Sequence, residues 1–594
     1  MSLDHRPAAA EPVRPGGPSG AHAAGPSGHG AAAGRTVIEL GTARLTPSEV
    51  ALVAVGGASV RAPRETIATL TRARAVIESV LTSGVPSYGV NRGLGPMRDQ
   101  EIPAELQQEF QQFVLASHAA GVGEALSPAQ SRAILAARLA GLAQGGSGIS
   151  VSTFEALVAL VEADITPVVT RFGSVGAADL APLAAIGAVL VGRGSTFGPG
   201  GERVPGGEAL AAAGLAPVAL GPKDALALVG ANSASIGLAC LASLQLDTLV
   251  CSTDLVAAMT VEALGASLAP FDEIVAEARP LPGQVASAAA VREATAGGDL
   301  AQGRIATVSL QDALSVRTVP QVHGVLHQVA SDLREILTVE LNSPTDNPLV
   351  DVEAGVVRPT GNFSVLELAI AAESTRLVLA HVGMLAERRI ASLVQRVRSD
   401  RPLVDQITAA SSTGGFLPPV ILANTASQIV VRLKHLANPL STAGTTVGDG
   451  VEDHSSQAFA AVLATIDALE ATEILLAIEA LLATDALTAD IERRGASGPS
   501  GASDAPGTHR RLGAGVHGLH GAVAQLLHSL DSREVAHDVI ERVRPLVAIA
   551  ATATSSRAVR DATWHAQHEH LSDTTPADLV DDPGALRHRL RGSP

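Results

Sequence analysis

The stretch "SSQAFAAVLATIDALEATEILLAIEALLATDAL", residues 455–487, contains neither proline nor glycine. Apolar residues recur along it at helical spacing, and acids are distributed over its length, so it predicts one very long helix. A helix of that length must bury its apolar face against comparable partners, which points to a bundle of long central helices. Shorter segments such as "AILAARLAGLAQ" (133–144) and "TFEALVALVEA" (153–163) have the same periodicity. The expected fold is mainly α.

Composition agrees. Of 594 residues, 46% are hydrophobic but only 2% aromatic, so the core must be built from Ala, Leu and Val. Small and unbranched residues of this kind favour closely packed helices over sheet. Two cysteines, Cys240 and Cys251, are too few for a disulfide framework or a cysteine-built metal site. The 42 basic residues against 59 acidic give a net charge of −17, which argues against nucleic acid as a partner. No uninterrupted apolar run of membrane-spanning length is evident, and residues 1–35 lack the apolar core of a signal peptide. A cytoplasmic protein is expected.

The chain divides, on this reading, into a tail (1–35), an N-terminal mixed region carrying a loop (36–225), the long-helix bundle (226–490) and a C-terminal helical region (491–594). In the N-terminal region "TVIEL" (36–40) and "VALVAV" (50–55) read as short strands. "SGVPSYGVNRGLGPM" (83–97) reads as a loop. "RRGASGPSGASDAPGTHRR" (493–511) reads as a flexible connection.

Nine blocks occur in order between Tyr88 and Ser456. They are "YGVNRGLG" (88–95), "LASHAAGVGE" (115–124), "GSVGAADLAPLA" (173–184), "RPLPGQ" (279–284), "LQDALSVRTVPQVHG" (310–324), "ELNSPTDNPLV" (340–350), "GNFS" (361–364), "ERRI" (387–390) and "VEDHSS" (451–456). Together they resemble the aromatic amino acid ammonia-lyases, the histidine-specific branch most of all. That resemblance implies a fumarase/aspartase-like bundle, a carbon–nitrogen lyase and a homotetramer with shared active sites acting on a small amino-acid-derived substrate.

It also implies site roles. Tyr88, the only tyrosine in the chain, matches the β-proton base, which requires a phenol pKa well below its usual ~10. Arg317 matches the carboxylate clamp, a task suited to the paired donors of a guanidinium; a surface ion pair is the plain alternative. Gln311 and Asn91 belong to the same polar surroundings. Phe363 matches the ring over the reacting centre, unless it is a core residue. His118 and Glu452 match the groups that read the substrate ring. A carboxylate at 452 suits the N–H of an imidazole, and would cost several kcal/mol buried against a phenyl. The alternative for Glu452 is an acid at a helix N-terminus. Lys434 matches a lysine before the "HLANP" turn that could lower the pKa of Tyr88; a solvated surface lysine is the other reading.

Three departures fall on the family's chemistry. The serine of the Ala-Ser-Gly that forms the methylidene-imidazolone (MIO) electrophile is missing, and only Ala177 and Ala178 stand between Gly176 and Asp179. The asparagine after "LAL" is replaced in Gly230-Ala231, and the tyrosine of the "QD" block is Leu314. No prosthetic group is therefore expected. The other "ASG", at 496–498, lies in the flexible connection and outside the matched frame. A substrate whose amine is already quaternary needs no electrophile, because it has no N–H to lose and departs as a neutral amine. Imidazole recognition with such a leaving group points to a histidine betaine and an ergothionase-like activity. A lyase for another preactivated substrate and a non-catalytic homologue remain alternatives. No metal is expected, and His509, His517 and His520 read as solvated or capping residues.

Overall fold

The computed structural model describes residues 36–400, 419–496, 510–530 and 535–554. Among these, three helices dominate: Ser233–Leu264 (32 residues), Leu366–Asp400 (35 residues) and Ala458–Ala496 (39 residues). They pack along one another and along Val319–Glu340, forming the expected bundle. The longest continues the helix read from 455–487, starting three residues later and running on to Ala496. Ala239 and Ala257 on helix Ser233–Leu264 and Ala477 and Ala483 on helix Ala458–Ala496 are buried, so the helices lie close together. Gly237 marks one contact where a Cβ would come within 2.5 Å of the Ala133 carbonyl oxygen in helix Pro128–Ala143.

One expectation needs correction. "VALVAV" is not a strand: residues Pro47–Ala54 form a helix. Thr46 caps it, accepting from the Glu49 amide while the Glu49 carboxylate accepts from the Thr46 amide, and proline occupies the first turn. This local hydrogen bonding outweighs the β-preference of the valines. "TVIEL" does supply a strand, Thr36–Glu39, paired in parallel with Ala58–Arg61. Across 225/226 and 490/491 the packing is continuous. One hydrophobic cluster runs from Ile38 to Ala551, and residue 490 lies inside the longest helix. The described C-terminal helices, Ala514–His528 and Ala536–Thr554, pack on this same bundle. The 1–35 tail and Ser497-Gly498 lie outside the described residues.

Two helical stretches, Asp224–Leu264 and Leu366–Ser399, are long and apolar enough to cross a membrane. The apolar window of the first is 100% buried inside the chain and that of the second 56%. Both are central bundle helices, and the first spends its whole apolar window on packing.

Candidate active site

The 83–97 loop is a structured device. The Ser87 carbonyl accepts from the amides of Val90, Asn91 and Arg92, at 3.1, 3.2 and 3.2 Å. Gly89 has φ +66, and a Cβ there would lie 2.1 Å from Leu226, so only glycine lets the loop lie on the core. Asn91 is buried, and its amide bonds to the loop on both sides: Oδ1 accepts from the Ser87 amide at 2.8 Å and Nδ2 donates to Val85 O at 2.9 Å. Asn91, matched to the polar surroundings of the substrate, thus also staples the loop.

This loop holds Tyr88 half-buried, its hydroxyl accepting from the Gly95 amide at 3.1 Å. The turn Gly95–Met97 packs on the turn Gly448–Gly450, and residues 447 and 452 bridge to each other there. Glu452 is thereby set beside Tyr88. It lies six residues before helix Ala458–Ala496, so it is not a helix-terminal acid. His118, the last residue of helix Gln107–His118, completes the group and acts electrostatically on Glu452. Its Nδ1 lies 2.7 Å from the Val114 carbonyl and must carry the proton there, so Nε2 faces away as the free ring nitrogen.

The electrostatics run against one expectation. Burial raises the Tyr88 pKa above 10.0; the Gly95 N–H opposes this, the Glu452 charge adds to it, and Arg98 opposes it. Glu452 is itself raised, by burial, with His118 opposing. The phenol is thus protonated at neutral pH in the free chain. Lys434 does not lower it: that side chain is exposed on the last turn of helix Pro419–Leu436, where a cation suits the carbonyl end of the helix.

Arg317 and Gln311 form a second group. With the Gln311 amide in its bonding orientation, its oxygen accepts from both terminal nitrogens of Arg317, at 2.8 and 2.9 Å. Among the described residues, no ion pair or hydrogen bond joins this group to Tyr88 or Glu452. The segment before it is apolar and open, with Val308, Leu310 and Leu314 at 70%, 104% and 60% exposure.

Ala177 and Ala178 are buried in a tight turn, with Ala178 at φ +62. Ser456 Oγ donates to the Gly176 carbonyl and the Gln457 amide to that of Val175. Asp179, wholly buried, accepts from Ser174 Oγ and from the amide and hydroxyl of Ser235, at 2.6, 2.7 and 2.9 Å. Burial pushes its carboxyl up to about 6, with those hydrogen bonds opposing. The residues present do not fit an MIO group: that ring takes its exocyclic carbon from a serine, and this turn has none.

Asn232 is a residue that sequence reading passed over. It is fully buried, its Nδ2 donates to the Phe363 carbonyl, and its Oδ1 has no partner. Phe363, half-buried, is thus tied through its backbone to the segment that follows Gly230-Ala231, and Ala231 O accepts from the Asp179 amide. The one available signal was an amide residue within an otherwise small, apolar run. Of the histidines outside the site, His520 is held near Thr488 at 3.0 Å, and burial lowers it to about 4, with His517 and Arg510 adding to this. His509 lies outside the described residues. No group of three or more His, Cys, Asp or Glu among the described residues is arranged to hold a metal ion.

A long-helix bundle with a tyrosine loop set against a carboxylate and an imidazole defines an aromatic amino acid lyase scaffold. The chain belongs to that family: residues 45–506 match its model, "Aromatic amino acid lyase". Histidine ammonia-lyase from Anaeromyxobacter dehalogenans is 37% identical over 435 residues, covering 72% of this chain and 85% of that one. Among solved structures, tyrosine aminomutase from Streptomyces globisporus superposes with a TM-score of 0.76 at 27% identity, covering 88% of this chain and 99% of that one. The ergothioneine-degrading ergothionase from Treponema denticola has the same fold, with a TM-score of 0.75 at 24% identity over 87% of this chain and 99% of that one.

Proposed function

We propose that this carbon–nitrogen lyase works without an internal electrophile, eliminating trimethylamine from a histidine betaine (ergothioneine, or its sulfur-free form hercynine) to give a thiourocanate or urocanate. The observation that carries this reading is selective loss. The turn that would form the electrophile has no serine, while Tyr88, Glu452 and His118 are still brought together. In an ordinary amino acid the ammonium N–H is far more acidic than the β-C–H, so a base would neutralise the leaving group first. A trimethylammonium cannot be neutralised, and a placed base suffices.

In this reading Tyr88, directly or through a water it holds, takes the β-proton. Its raised pKa in the free chain is consistent with that role, because the substrate supplies the missing cation. A fixed positive charge arriving in a partly desolvated site lowers the phenol pKa and offsets Glu452. Glu452 and His118 read the imidazole: the carboxylate accepts its N–H, and the free nitrogen of His118 is a second polar contact. Phe363 supplies the aromatic face. Arg317, supported by Gln311, binds the carboxylate.

Among the described residues no hydrogen bond or ion pair joins that clamp to Tyr88, and the segment leading to it carries the exposed apolar side chains Val308, Leu310 and Leu314. Both features suit a homotetramer whose subunits complete one another's sites. The test is to supply ergothioneine, hercynine and histidine separately. The conjugated acrylate is followed by ultraviolet absorbance and trimethylamine by mass spectrometry. Turnover of a betaine and not of histidine supports the reading; ammonia from histidine refutes it.

A further inference from the structure

In the block Glu387–Ile390, Arg388 pairs with its neighbour Glu387, but Arg389 is fully buried in the middle of helix Leu366–Asp400. Its Nε and one terminal nitrogen grip the carboxylate of Glu479, also fully buried, at 2.6 and 3.0 Å. Thr260 Oγ1 donates to the same carboxylate at 2.7 Å. Three long helices are thus locked at one point. The other terminal nitrogen of Arg389 donates elsewhere, to the backbone carbonyl of Ser315 at 3.2 Å.

Ser315 belongs to the single helical turn Leu314–Arg317. The turn has few bonds of its own: the Val316 and Arg317 amides donate to the Ala313 carbonyl and the Thr318 amide to that of Leu314. Leu314 and the approach from Val308 are exposed, while Ser315 and Val316 are buried. The third bond of Arg389 adds an anchor from outside the turn, two residues before Arg317. The start of the following helix is fixed in the same polar column. His323 Nδ1 meets Asp254 Oδ1 at 2.9 Å, and His323 lies within electrostatic reach of Arg389 and Glu479. Packing alone would not require a buried guanidinium here, since an apolar pair can fill such a volume at no loss of stability.

We propose that Arg389 is a positioning residue for the carboxylate clamp: held by Glu479 and Thr260, it fixes the Ser315 carbonyl and so aims Arg317. This rests on the reading of Arg317 as the carboxylate-binding group.

The test uses the full-length protein, its Arg389→Lys variant and the double variant Arg389→Met/Glu479→Leu, which removes both buried charges. Two probes are titrated calorimetrically, imidazole-4-propionate and 4-methylimidazole, with the melting temperature as the fold control. The wild type is expected to prefer the propionate. Both variants are expected to lose roughly tenfold of that preference, the effect of one charge-assisted hydrogen bond, while binding 4-methylimidazole as before. A preference that survives in the variants overturns the proposal and leaves the Arg317 reading intact. Equal weakening of both probes also overturns it, since that is general loosening. A wild type with no preference defeats the Arg317 reading, and the proposal with it.

Discussion

Replacing Tyr88 with phenylalanine separates catalysis from stability. The hydroxyl accepts one hydrogen bond, from the Gly95 amide at 3.1 Å. Removing it leaves a single N–H short of a partner in a half-buried loop, at a cost of about 1 kcal/mol. The same atom is the proposed base, and loss of a placed proton acceptor lowers rates by about 10²–10⁴. That corresponds to about 3–5 kcal/mol on the barrier. Tyr88→Phe should thus leave melting nearly unchanged while kcat/KM on the betaine falls at least a hundredfold. Because the chain has one tyrosine, phenolate absorbance reads Tyr88 alone, and the variant supplies the blank. In the free protein its midpoint should lie above 10.0, because burial and Glu452 both disfavour the phenolate. Saturation with a non-reacting trimethylammonium compound should bring the midpoint down, and kcat/KM should rise with pH. A variant within threefold of wild-type turnover, or a midpoint that the cation leaves in place, would refute the reasoning.

Glu452→Gln should weaken imidazole-ring ligands by roughly tenfold through loss of a charge-assisted bond, and should lower the Tyr88 midpoint by removing an anion; competition binding and the same titration check both. The Asp179 carboxyl is raised from 3.8 to about 6 by burial, so folding favours its protonated form. The stability this contributes is fully present below 3.8 and is lost as pH rises through about 6, a change on the order of 3 kcal/mol. Asp179→Asn should flatten melting temperature against pH across that window. Ala178→Ser should create no electrophile, because the turn remains one residue short: intact mass should show no loss of water. Gly237→Ala should destabilise the bundle by about 1–3 kcal/mol, since the new methyl would meet the Ala133 carbonyl at 2.5 Å; denaturant unfolding measures it.

The sequence by itself determined the bundle and most of the local chemistry. Periodicity over 455–487 and a core restricted to Ala, Leu and Val leave few alternatives to long, close-packed helices. A turn without serine cannot form the family's electrophile, whatever its surroundings. Tertiary structure decided what depends on distant segments meeting. The Tyr88 pKa moves up, because burial and a carboxylate some 360 residues away in the chain surround the phenol. Lys434, read as its helper, is exposed on another helix. Asn91 was matched to the polar surroundings of the substrate from its place in the loop, whereas the two backbone groups that hold its amide are visible only in the fold. "VALVAV" followed its capping box and not its β-branched side chains. Asn232 and Arg389 gained their roles only when Phe363 and Ser315 were folded against them. Spacing along the chain fixes the helices, but hydrogen-bond partners and desolvation are properties of the packed molecule.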